Sequence, residues 1–145
     1  MSPEEQFTET QKAAMVAAIQ EAEKSTSGEI RIHFDRHCGS SALESATHTF
    51  SRLGMSQTAL KNGVLIYVAL EDKKLAIIGD QGINEKVPAD FWDSIKDRMI
   101  ERFRAGEICE GVCEAVLETG IQLKHYFPYQ EDDINELPDD ISFQK

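Results

Sequence analysis

The run Val64-Leu65-Ile66-Tyr67-Val68-Ala69-Leu70, answered after Glu71-Asp72 by Lys73 to Ile78, constrains this chain more than any other stretch. A run that is apolar apart from Tyr67 reads as a central strand covered on both faces. The second run returns after a turn of two residues, and so short a connection joins only antiparallel neighbours. The hairpin therefore belongs inside a sheet with other elements packed on each side. It leaves through Gly79-Asp80-Gln81-Gly82, a glycine-framed acidic loop that is either a structural exit or part of a site.

The flanking sequence supplies the partners. Thr8-Glu9-Thr10-Gln11 has capping-box spacing ahead of a segment to about Lys24 in which Met15, Ile19 and Ala22 recur at helical intervals, the first helix. Ser25-Thr26-Ser27-Gly28 breaks it, and Glu29 to Phe34 then alternates, with Ile30, Ile32 and Phe34 on one face of a first strand. Leu43, Ala46, Phe50 and Leu53 mark a second helix from about Ala42 to Leu53. Pro88 suits a first helical turn, and Trp92, Ile95, Met99 and Phe103 form the stripe of a third helix stopped near Gly106. A fourth, about Glu107 to Tyr126, ends before Pro128.

This order predicts an α/β fold, a three-layer α/β/α sandwich with a small mixed sheet covered by helices. The first strand, second helix and second strand form a parallel crossover unit, so the third strand runs antiparallel to both. One domain spans residues 1–130. Residues 131–145 hold six acids and one lysine and read as an acidic, flexible tail.

Twenty-six acids against 15 bases give a net charge of -11 over 145 residues. Such a surface repels nucleic acid and anionic lipid, and it leaves divalent cations and basic proteins as the favoured partners. No segment approaches the roughly 20 apolar residues of a membrane helix. The acidic first 25 residues do not read as a secretory signal, and three cysteines without scaffold spacing fit a reducing compartment, so a cytoplasmic monomer is expected.

Spacing excludes several chemistries. His37-Cys38 resembles the opening of a cysteine-phosphatase loop, but the position that should carry the phosphate-clamping arginine is Glu44. Nucleotide P-loop, dinucleotide and serine-elbow motifs are absent, and the tail lacks the glycine and terminal glutamate of an EF-hand. Cys109 and Cys113 share a helix face and read as packed thiols. His33 reads as a polar-face strand residue and His37 as a loop residue.

The topology gives the glycine-framed loop a geometric meaning. The exit of the third strand at Asp80 falls at the sheet edge where Glu29 and Asn62 enter, with Glu85 and Asp90 a few residues on. Asp35, Glu71 and Asp72 gather at the opposite edge, within reach of Glu107 and Glu110. Crowded carboxylates repel unless a cation or protons neutralise them, and hard oxygen ligands suit calcium or magnesium.

Taken in order, "SGEIRIHF", "LGM" before "KNGVLIYVALEDKKLAIIGDQGI", "VPADFWDSI" and "FRAGEICEGVCEAV" resemble the TPM domain. This module is shared by thylakoid-lumen acid phosphatase-like proteins, photosystem repair factors and a modulator of acetylcholine receptors. The resemblance spans about residues 7–127. It implies an α/β/α sandwich with an acidic depression, calcium or magnesium binding in some members, and the phosphatase activity of plant relatives. Two departures concern the site: the family's Gly-Tyr-Gly is here Gly79-Asp80-Gln81-Gly82, and its Asp after Phe-Arg-x-Gly is here Glu107. Many members are exported and membrane-anchored, and neither device is visible in this sequence.

The leading expectation is a module that binds calcium or magnesium through carboxylates drawn from Glu29, Asp72, Asp80, Asp90 and Glu107. A metal-dependent acid phosphatase is the alternative. Against it stands the lack of a basic clamp, with Arg31, Arg36 and Arg104 the only cations assigned near the site. A metal-independent adaptor for a basic protein partner is the third reading.

Overall fold

The computed structural model describes residues 2–130 and 137–144. Four strands, β1 (Glu29–Asp35), β2 (Gly63–Ala69), β3 (Lys74–Gly79) and β4 (Ile141–Phe143), form one mixed sheet in the order β3-β2-β1-β4. β1 and β2 run parallel with Ile30 opposite Val64, and β3 returns antiparallel with Gly79 opposite Val64. Helices α1 (Glu9–Glu23), α2 (Ala42–Arg52), α3 (Gln81–Asn84), α4 (Asp93–Arg104) and α5 (Ile108–Leu123) complete the chain with two short 3-10 turns.

Local chemistry accounts for the boundaries. Thr8 Oγ1 accepts the Gln11 amide at 3.0 Å and Gln11 Oε1 accepts the Thr8 amide at 2.9 Å, the reciprocal box that starts α1. Ser41 caps α2 by accepting the Glu44 amide at 3.2 Å. α4 stops at Gly106, whose φ of +80° is the left-handed turn that glycine adopts without a Cβ penalty.

The alternation of β1 and β2 decides the layering. Ile30, Ile32 and Phe34, beside Val64, Ile66 and Val68, face the layer of α1, α4 and α5. Leu65, Tyr67 and Ala69 face Ala46 and Phe50 of α2 and Met55 after it. Every residue of β2 is consequently buried, as the uninterrupted apolar run required. The fold is the expected α/β/α sandwich.

The structure departs from the sequence reading in three places. Residues 137–144 of the expected tail pack on the sheet: Leu137 and Ile141 are buried, and Ile141–Phe143 add β4 parallel to β1. Phe143 stacks on Phe34 at 5.7 Å, so two aromatic and aliphatic side chains anchor a segment whose acidic neighbours dominate its composition. The remainder of the predicted tail, residues 131–136, lies outside the described residues. Pro88 precedes α4 by a turn rather than opening it, and Trp92 is the half-buried residue ahead of Asp93, edge-on to Phe91 at 4.7 Å. Among the described residues no helix is long and apolar enough to cross a membrane.

Candidate functional site

The strand register places Glu29 and Asp80 at one end of the sheet. Glu29 pairs with Gly63, whose carbonyl accepts the Asp80 amide at 2.9 Å. The two carboxylates have separate duties there. Glu29 is 4% exposed and accepts the Leu137 amide at 2.6 Å, which ties the C-terminal segment to the start of β1. Asp80 caps the four-residue α3 by accepting the Gln81 amide at 2.7 Å, and its Oδ2 is buried without a hydrogen-bond partner among the described residues. Asn62, expected as a third oxygen donor, donates instead to the Ser27 carbonyl at 3.1 Å. Asp90 is exposed in the turn before α4.

The opposite end holds Asp35, Asp72 and Glu71. Asp35 accepts the Tyr67 hydroxyl at 2.5 Å on one oxygen and lies 2.6 Å from His33 Nε2 on the other. His33 Nδ1 meets Ser142 Oγ of β4 at 2.7 Å. Burial alone would raise the Asp35 pKa, but the bonds from His33 and Tyr67 outweigh it and hold the carboxyl below its usual range. Burial, reinforced by Asp35, pushes the Tyr67 phenol upward. His33 is the expected strand residue on the face opposite Ile30, Ile32 and Phe34, but it is 1% exposed there, in a hydrogen-bonded row across β2, β1 and β4. Strand alternation shows that His33 leaves the apolar face, but not that Asp35, Tyr67 and Ser142 of β4 surround it on the other.

Asp72 binds the hairpin turn to the loop after β1. It accepts the Cys38 amide at 2.8 Å and His37 Nδ1 lies 2.9 Å away, interactions that lower its pKa to about 2. His37 Nε2 also reaches Glu71 at 2.9 Å. Glu107 does not join them. It pairs with Arg102 at 3.2 Å, and Arg102 simultaneously grips Glu114. Cys109 and Cys113 are packed thiols whose pKa values burial raises, that of Cys113 to about 12.

Calcium held by protein alone takes about six to eight oxygen ligands. The described residues contain no group of three or more His, Cys, Asp or Glu side chains placed to hold a metal ion. Glu29, Asp72, Asp80, Asp90 and Glu107 are split between the two sheet ends and the helix termini, and hydrogen bonds within the fold occupy all except Asp90 and the orphan oxygen of Asp80. They do not fit an all-protein cation cage.

A cavity of about 970 Å³ lies between the hairpin tip, α4 and the start of α5. Lys73 and Lys74 reach it from the hairpin, and Lys96 and Arg104 reach it from α4. Asp93 and Asp97, one helical turn apart on α4, line it too. Among the described residues none of these six forms an ion pair. Leu70, Leu75, Ile100, Phe103 and Ile108 supply the apolar lining. The sequence stretches Lys73-Lys74 and Phe103-Arg104 therefore meet at one concavity. Three of the four cations are lysines that the sequence reading did not assign to a site, because pairing the hairpin tip with α4 required the tertiary structure.

The family model of the TPM domain matches residues 2–121. No curated protein matches the chain. Among solved structures, the NMR structure of the BA42 protein from the psychrophilic bacterium Bizionia argentinensis is similar at 43% identity and a TM-score of 0.90, covering 95% of each chain. The N-terminal domain of a protein from P. gingivalis is similar at 22% identity and a TM-score of 0.69, over 86% of this chain and 82% of that one. The N-terminal domain of the cg2496 protein from Corynebacterium glutamicum, at 12% identity and a TM-score of 0.65 over 94% and 80%, shares the fold. The chain belongs to the TPM domain family.

Proposed function

We propose that this TPM domain binds a phosphomonoester, and calcium or magnesium with it, in the cavity between the hairpin tip and α4. The observation that supports the reading is the lining: Lys73, Lys74, Lys96 and Arg104 share one 970 Å³ space with Asp93 and Asp97, and none is in an ion pair among the described residues. Four cations against two carboxylates make this concavity locally positive on a chain of net charge -11. A phosphate dianion is the ligand class for which lysine charges and an arginine fork are suited.

The carboxylate count bears on the metal. Magnesium is commonly held by one or two carboxylates together with substrate phosphate oxygens and water, not by a cage of side chains. Asp93 and Asp97 would hold such an ion, which would neutralise charge on the phosphoryl oxygens. The cation would then bind weakly alone and firmly with the phosphate. Hydrolysis is the extension of this reading, with Asp93 or Asp97 the groups available to orient water.

The test is a titration of chelator-treated protein followed by backbone amide shifts. Phenyl phosphate with magnesium is expected to give saturable shifts at Lys73, Lys74, Lys96 and Arg104, and magnesium alone much smaller ones. No saturable shift at those residues under any condition would sink the reading. A second reading keeps calcium at the exit of β3, favoured by the unpartnered buried Oδ2 of Asp80. It requires shifts around Asp80 with calcium alone that vanish in Asp80→Asn.

A further inference from the structure

Resting on that phosphate reading, we infer that the alcohol esterified to the phosphate is apolar, an aryl or alkyl group and not a sugar. The cavity carries charged and apolar side chains side by side along α4. Its lining positions on that helix begin with Asp93, Lys96 and Asp97 and continue with Ile100, Phe103 and Arg104. At about 1.5 Å per residue, Ile100 stands roughly 10 Å beyond Asp93 along the axis. Asp97 and Ile100 are only about 4.5 Å apart along the axis, so a phosphate held beside the charged positions has the apolar ones as its immediate neighbours.

The facing elements add apolar lining too: Leu70 and Leu75 come from the hairpin and Ile108 from the first turn of α5. Ile100 is 38% exposed, a large aliphatic side chain left facing the cavity and solvent. A sugar phosphate would press hydroxyls against Leu75, Ile100 and Phe103, which offer their side chains neither donor nor acceptor, and would lose water without replacing it. An aryl or alkyl group removes its own apolar surface and theirs from water together.

Four ligands separate the possibilities when titrated into the full chain at fixed magnesium: phenyl phosphate, hexyl phosphate, glycerol 3-phosphate and inorganic phosphate. Phenyl and hexyl phosphate are expected to bind about tenfold or more tightly than glycerol 3-phosphate, with added shifts at Ile100, Phe103 and Ile108. Ile100→Asn, a change at an exposed position, is expected to remove most of that preference, read as the ratio of phenyl phosphate to glycerol 3-phosphate affinity within the variant. Glycerol 3-phosphate binding as tightly as phenyl phosphate would overturn the inference and leave the phosphate site standing. Apolar esters that bind without shifting Ile100 or Phe103 would overturn it equally. Failure of every phosphate compound to shift Lys73, Lys74, Lys96 and Arg104 would remove the site and the inference with it.

Discussion

His33 and Asp35, two residues apart on β1, face each other at 2.6 Å, and the Tyr67 hydroxyl closes on the other oxygen of the same carboxylate. Residues at this spacing share a strand face, so the contact costs the backbone no distortion. Asp35 is the shared acceptor of both groups. Asparagine could replace it, because His33 can carry its proton on Nδ1 towards Ser142 and accept the amide NH2 on Nε2, whereas alanine leaves both partners unmatched. Asp35→Ala is expected to destabilise by about 2–3 kcal/mol, against about 1 kcal/mol for Tyr67→Phe, which removes one donor without stranding another. Denaturant unfolding of both variants measures the difference, and equal losses would refute the shared-acceptor account.

Glu23 gives the clearest pH dependence. Its Oε2 accepts the Ile30 amide at 2.9 Å, and burial, followed by a hydrogen bond with Asp139, raises its pKa to about 9. Unfolded, it titrates near 4.5, so between about pH 4.5 and 9 the native state holds a proton that the unfolded chain has lost. The stability contribution is thus fully present below about 4.5 and falls as pH rises towards 9. Glu23→Gln keeps an acceptor for Ile30 and never ionises. It is expected to be more stable than the parent by about 1–2 kcal/mol near pH 8 and indistinguishable near pH 4. Urea midpoints at the two pH values check the sign.

Gly82 accounts for half of the glycine-framed loop. A Cβ there would lie 2.3 Å from the Leu60 carbonyl oxygen and 2.6 Å from that of Lys61, and the Gly82 amide bonds the latter at 2.9 Å. Backbone oxygens cannot step aside as a side chain can. Gly82→Ala is expected to cost about 3 kcal/mol or more, read as a lower urea midpoint at unchanged slope. At Gly39, with no atom within 4 Å of the built Cβ, only the strain of its φ of +66° remains, and Gly39→Ala should cost about 1 kcal/mol.

The periodic elements were legible because one signal dominated each. The apolar run of β2 demanded two covering layers, and the Glu71-Asp72 turn set β3 antiparallel. β4 was hidden because Ile141, Ser142 and Phe143 are too few to show alternation among Asp139, Asp140 and Lys145. Losing β4 also hid the partner of His33. At the site, topology correctly put Glu29 and Asp80 at one sheet end, yet which carboxylates are occupied depends on backbone amides such as Leu137 and Cys38. Pattern along the chain says nothing of those. The cavity was missed for a related reason: Lys96 shares it with Lys73 and Lys74 only through the way α4 packs beside β3.

The lining of the cavity predicts an order of addition in thermal unfolding. Two carboxylates on one helical face are too few to stabilise the fold by gripping calcium or magnesium, whereas a phosphate bridging Lys73, Lys74 and Lys96 to the ion ties the hairpin tip to α4. Magnesium alone is therefore expected to move the midpoint by less than about 1 °C. A phosphomonoester and magnesium together, at about ten times the dissociation constant, add about 1.4 kcal/mol and raise it by roughly 4–6 °C. Lys96→Glu should abolish the joint shift without lowering the midpoint of the unliganded protein by more than about 2 °C, because Lys96 forms no ion pair among the described residues. Calorimetry with and without each component measures the coupling. A full shift from magnesium alone would return the cation to a site built by the protein itself and make Asp80, with its unpartnered oxygen, the residue to substitute next.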